Sequence, residues 1–173
     1  MRTCRDFTNV RAIKAVYFAY VRSHLEYCSQ VWNVTTNSDC IMLEKIQRRF
    51  ARFLFHKGLL PAVDLSEFHY HPVLESLNLQ SLQCRRDRFD ATLLLQVLYH
   101  IIDGISLDKY QRTRDSNRAM RSHRTFTTLI GCPSSMNRCI QLLNSLAFDW
   151  TVTENLPFPR ALRLTLERIP LYK

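Results

Sequence analysis

Four cations, Lys45, Arg48, Arg49 and Arg52, recur at three- and four-residue steps. At that spacing they form one stripe of a helix, separate from the apolar stripe of Leu43, Ile46, Phe50, Phe53 and Leu54. A cationic stripe of this kind binds phosphates by charge and carries no base readout. Arg118, Arg121 and Arg124 make a second basic set, mixed with His123 and Phe126 on a polar stretch. Such a segment can order on a nucleic acid. The competing reading of both sets is a solvated surface.

The other reactive residue types do not assemble into a site. His69 and His71 are alternate residues, with His56 or Cys84 near in sequence, and zinc needs three or four converging ligands. The six cysteines, at 4, 28, 40, 84, 132 and 139, contain no CxxC pair. His24 lies four residues before Cys28, but the shared face is apolar, which predicts two core residues. Arg22 and Glu26 are spaced as a surface ion pair of little energetic worth. Arg85, Arg86 and Arg88 sit beside Asp87, Phe89 and Asp90, and a structural role is expected of them. Trp32 and Trp150 are expected as core anchors. No Tyr-x-Asp-Asp strand is present, and neither Asp87 with Asp90 nor Asp64 with Glu67 has the context for two-metal catalysis. No cofactor or metal is implied.

These residues must be positioned by helices. Three glycines and six prolines in 173 residues are too few for a turn-rich β-sandwich. Ile13, Tyr17, Tyr20, Val21, His24, Cys28 and Val31 predict one helix over 9–32, capped by Thr8 or Asn9. A second is expected over 39–56, with Ser38 as cap and Gly58 as stop, forming a hairpin with the first. A short helix over 72–79 and a long one over 81–103 ending at Gly104 follow. Residues 106–135 read as a polar loop, and helices are expected over 136–148 and 160–169. The predicted fold is therefore all-α: a helical hairpin plus a third long helix, then a smaller C-terminal helical piece after a polar loop. The corresponding division is 1–104 helical, 105–135 polar basic loop, and 136–173 C-terminal helical segment.

The net charge is +9 and is unevenly spread. Residues 1–60 hold ten Lys/Arg against four Asp/Glu, 61–113 five against seven, and 114–173 nine against four. Two basic ends around a mildly acidic middle point to two contact surfaces for a polyanion. Arg2, Arg5 and Asp6 replace the apolar core of a signal peptide, and the apolar run 91–102 is too short for a bilayer. Both features predict free thiols, an intracellular setting (cytoplasmic or nuclear) and no membrane partner.

Arg2-Thr-Cys-Arg-Asp-Phe7, Ala12-Ile-Lys-Ala-Val-Tyr17 and above all Tyr20-Val-Arg-Ser-His-Leu-Glu-Tyr-Cys-Ser-Gln-Val-Trp-Asn33 resemble one stretch of jockey-type non-LTR retrotransposon polyproteins. Leu43-Glu-Lys-Ile-Gln-Arg-Arg-Phe50 with Arg52-Phe53-Leu54, then Leu77-Asn-Leu-Gln-Ser-Leu82 with Arg85-Arg86, continue the likeness. Arg138, Leu142 to Leu146 and the 160–167 segment resemble its close more loosely. The resemblance implies the thumb and post-palm region of an RNA-directed DNA polymerase. It implies a chain without the palm's paired aspartates or the endonuclease, hence no catalysis. Its partners would be RNA or DNA backbone, bound without sequence preference, and the palm of the parent polyprotein. The alternative is a helical scaffold that docks on that palm and binds no nucleic acid.

Overall fold

The computed structural model describes residues 8–33, 36–60, 68–105, 135–146 and 156–171. The fold is all-α, and no strand occurs among the described residues. The chain divides into two units. One draws on Met1–Ser29, Val34–Arg85 and Leu171–Lys173, the other on Gln30–Asn33 and Arg86–Pro170.

In the first unit, helix α1 spans Val10–Tyr17, and the Asn9 side chain accepts from the Arg11 and Ala12 amides. A π turn, Phe18–Arg22, leads into the short α2, Ser23–Glu26. The wide turn adds one residue, so the inward step runs from Tyr17 to Arg22, five positions on. That shift overturns part of the expected helix. His24 and Cys28 are exposed, not core, and so are Tyr20, Tyr27 and Val31. The expected single helix over 9–32 also breaks. Cys28 takes φ 50° between α2 and α3, Ser29–Trp32, and Trp32 is 38% exposed and no core anchor.

Helix α4, Asn37–His56, is capped by Thr36, whose hydroxyl accepts from the Asp39 amide, not by Ser38. Helix α5 spans Tyr70–Ser76, and α6 spans Leu82–Leu98. The first core gathers Ile13 and Tyr17 of α1, Phe50, Ala51 and Leu54 of α4, and Tyr70, Val73 and Leu74 around α5. Tyr17 stacks on Phe50 with centroids 3.9 Å apart and planes 7° apart, which is how the expected first and second helices meet.

Helices α4, α5 and α6 share one ending. After α4, Leu59 N–H reaches Leu54 O at 3.3 Å; after α5, Leu79 N–H reaches Leu74 O at 2.8 Å; after α6, Ile101 N–H reaches Gln96 O at 2.8 Å. Each motif places a left-handed residue just before that donor: Gly58 (φ 63°), Asn78 (φ 51°) and His100 (φ 53°). Gly58 stops α4 as its sequence position predicts. Helix α6, expected to run to Asp103, ends at Leu98 because His100 takes the left-handed position that Gly104 was expected to supply.

In the second unit, α7 spans Ser135–Ser145 and α8 spans Phe158–Arg168, with Pro159 in its first turn. The second core joins Ala91, Leu94, Leu95 and Val97 of α6 to Cys139, Ile140 and Leu143 of α7, and to Ile169 after α8. The Tyr99 hydroxyl donates to Leu156 O at 2.9 Å, and its ring meets Phe158 edge-on. Of the predicted polar loop over 106–135, Ser135 instead opens α7, and the rest, Arg118, Arg121 and Arg124 included, lies outside the described residues, as does Trp150. No described helix is long and apolar enough to cross a membrane.

Candidate nucleic-acid interface

The rotation of α4 about its axis is fixed from its inner side. Phe50, Ala51 and Leu54 are buried in the first core. Gln47 is also fully buried: its Oε1 accepts from the Tyr17 hydroxyl at 3.2 Å, and its Nε2 donates to Tyr70 Oη at 3.3 Å and Gln80 O at 2.9 Å. The Glu44 carboxylate accepts from the Tyr70 hydroxyl and from Leu82 N–H, 3.1 Å from its Oε2. Glu44 thus caps the start of α6, where the helix dipole favours a negative charge. Burial first, and the neighbouring Glu44 second, push the Tyr70 hydroxyl far above its ordinary pKa, so it stays a neutral donor.

With residues 44, 47, 50, 51 and 54 engaged, residues 45, 48, 49 and 52 point away. All four cations of the predicted stripe are exposed. None is in an ion pair among the described residues. Two of them rest on rings instead. The Arg48 guanidinium lies over Tyr70 at 4.8 Å, and that of Arg52 over Phe68 at 5.1 Å. Each contact is worth about 0.5–1 kcal/mol at an exposed site, and it restricts a long side chain before any ligand arrives. Tyr70 and Phe68 come from and beside α5, about twenty residues along the chain. The spacing within α4 carries no sign of them.

Other arginines of the chain are committed to the fold. Arg22 and Arg85 both donate to Glu26, at 2.7 and 2.9 Å. The expected surface pair is therefore a partly buried cluster, because the π turn brings Arg22 inside. Burial would raise the Glu26 carboxyl; hydrogen bonds from Arg85 and Arg22 outweigh it and hold the pKa below its ordinary value. In the second unit Arg86 Nε donates to Asn33 Oδ1 at 2.9 Å, Asn33 Nδ2 donates to Asp90 Oδ2 at 3.0 Å, and Arg138 Nε reaches the same oxygen at 2.8 Å. Arg138 also donates to the Gln30 and Asn33 carbonyls at the end of α3. The structural role expected of Arg85, Arg86 and Asp90 is seen in these contacts. Phe89, beside them, is half-buried.

Among the described residues no three His, Cys, Asp or Glu side chains converge as a metal site. His56, His69 and His71 are exposed, while Cys84 is buried. What the α4 face can do chemically is neutralise and orient an anion. No family model, curated protein or solved structure matches the chain.

Proposed function

We propose that this chain is a non-catalytic part of a non-LTR retrotransposon reverse transcriptase, from the thumb and post-palm region, and that it holds nucleic-acid backbone through α4. The observation that carries the binding role is the exposed face of Lys45, Arg48, Arg49 and Arg52, outside every ion pair of the described residues. The run Tyr20 to Asn33 supports the origin. A lack of chemistry agrees with carboxylates spent on structure: Asp90 holds Arg138 and Asn33, and Glu26 holds Arg22 and Arg85.

Binding of labelled single-stranded RNA, titrated from low to raised salt, tests the grip. Affinity falls as salt rises, and K45A/R48A/R49A/R52A flattens the log–log slope by up to about 3, at roughly 0.7 per phosphate contact. No binding at low salt, or binding indifferent to salt, refutes it. The genomic sequence preceding Met1 tests the origin: a frame encoding a palm with paired aspartates supports it.

A second reading, a scaffold that docks on the palm, has its own support. Tyr20, Tyr27, Ile41 and Met42 are large side chains left exposed in the first unit. Size-exclusion separates the two: self-association favours docking, and a clean monomer counts against it.

A further inference from the structure

The two arginines that lie over rings differ from the other cations of the α4 face. Lys45 and Arg49 are exposed charges with no ring contact among the described residues. Arg48 and Arg52 are one helical turn apart, about 5.4 Å along the axis, and each has an aromatic ring under its guanidinium. Arg22 also lies over a ring, Phe18 at 4.8 Å, but it is buried and donates to Glu26. Lys57 lies over Phe53, but an ammonium has no planar face to offer.

A guanidinium is a flat, weakly hydrated cation that stacks readily on π systems. The guanidinium groups of Arg48 and Arg52 lie over Tyr70 and Phe68, while both arginines are exposed residues. Each ring contact restricts a long, exposed side chain, so a flat group that meets its guanidinium costs less rotamer freedom. Unpaired nucleobases stack on Arg planes in this way; the bases of a duplex are already stacked on each other. Resting on the proposed grip by α4, we infer that the ligand of this face is single-stranded nucleic acid, with two unpaired bases stacked on Arg48 and Arg52 while Lys45 and Arg49 hold the adjoining phosphates.

The test uses the full chain and three labelled probes of equal length: a mixed-base single strand, an abasic strand with the same phosphates, and a duplex. The mixed-base strand is expected to bind at least about tenfold more tightly than the abasic one, since each stacked base contributes appreciably. R48K/R52K keeps both charges and loses both planes. It should erase that ratio by weakening the mixed-base complex toward the abasic one, with unaltered circular dichroism as the check on folding. Equal binding of the abasic and mixed-base strands overturns the inference, and so does a ratio that survives in R48K/R52K. Both of those results leave the backbone grip standing. Failure of every probe to bind at low salt removes the grip itself and the inference with it. A polyglutamate peptide that binds as tightly as the mixed-base strand assigns the face to an acidic protein and overturns the inference too.

Discussion

Substituting Arg138 by Met keeps much of the side chain's volume and removes its charge. Asp90 then loses the cation 2.8 Å from its Oδ2, while its own side chain is only 1% exposed. Breaking a buried pair by removing one partner costs about 3–5 kcal/mol, because the remaining charge is stranded. For a chain of this length that lowers Tm by about 6–20 °C. The penalty must also depend on pH. Burial raises the Asp90 carboxyl above its ordinary 3.8, and hydrogen bonds from Arg138 and Asn33 pull it only part of the way back. Between 3.8 and the raised value, protons bind the folded chain more tightly than the unfolded one. The stability Asp90 contributes is thus full in acid and lost as pH rises through its folded pKa. Without Arg138 that pKa moves further up and the window widens. R138M is therefore most damaging at neutral pH and less so as pH falls toward 4.5, because protonation of Asp90 removes its need for a cation.

Denaturant unfolding of wild type, R138M, D90N and R138M/D90N at both pH values measures this. In the D90N background, R138M removes its bonds to the Gln30 and Asn33 carbonyls and at most a neutral amide contact at position 90, about 1–3 kcal/mol. A coupling of roughly 2 kcal/mol at pH 7 is expected, shrinking toward pH 4.5. An R138M cost below about 1 kcal/mol at pH 7, or an equal cost at both pH values, would show that the pair is not the buried clasp its geometry describes.

The helix endings invite opposite substitutions. Gly58→Ala meets no atom within 4 Å but sits at φ 63°, so it should cost about 1 kcal/mol, and His100→Gly should gain about 0.5–1 kcal/mol, both read as changes in unfolding midpoint. Thiol labelling of the folded protein should modify exposed Cys28 quickly and leave Cys139 untouched, since it is buried and burial pushes its thiol up to about 12; prompt Cys139 labelling without unfolding refutes its placement. Glu26→Gln should destabilise the fold at neutral pH by leaving Arg22 and Arg85 without their carboxylate. The wild type should lose the same contribution as pH falls from 4.5 through the lowered Glu26 pKa, and a variant as stable as wild type at pH 7 contradicts the cluster.

Helix periodicity is a local property, and the parts of the fold that depend on it were legible. The stripe of α4, the Asn9 cap, the Gly58 stop and the two C-terminal helices all follow from residues within a turn or two of one another. The failures on the first expected helix share one cause. A fixed 3.6-residue period does not hold through Phe18–Arg22, where a π turn inserts one residue. Every side-chain assignment beyond it then rotates: His24 and Cys28 move out, and Arg22 moves in. No residue type marks such a turn. The end of α6 is hidden from the sequence for a separate reason, since a histidine in the left-handed conformation leaves no compositional trace.

Net charge alone does not say where a polyanion would bind, because arginine also serves the interior. The sequence offers Arg22, Arg85, Arg86 and Arg138 on the same terms as Arg48, Arg49 and Arg52. Folding separates them by what lies within reach. Where a carboxylate or an amide side chain is brought near, as Glu26, Asp90 and Asn33 are, the arginine is partly or fully buried and its donors are directed inward. On α4 the acidic residue nearest the stripe, Glu44, is turned inward to Tyr70 and Leu82. That inward turn of Glu44 is what leaves the stripe unneutralised. Glu44→Gln would weaken the cap on α6 without adding any anion to the outer face. Nucleic-acid affinity should therefore hold while stability falls by about 1 kcal/mol. A parallel loss of affinity and stability at temperatures well below unfolding would mean that the grip does not reside on the outer face of α4.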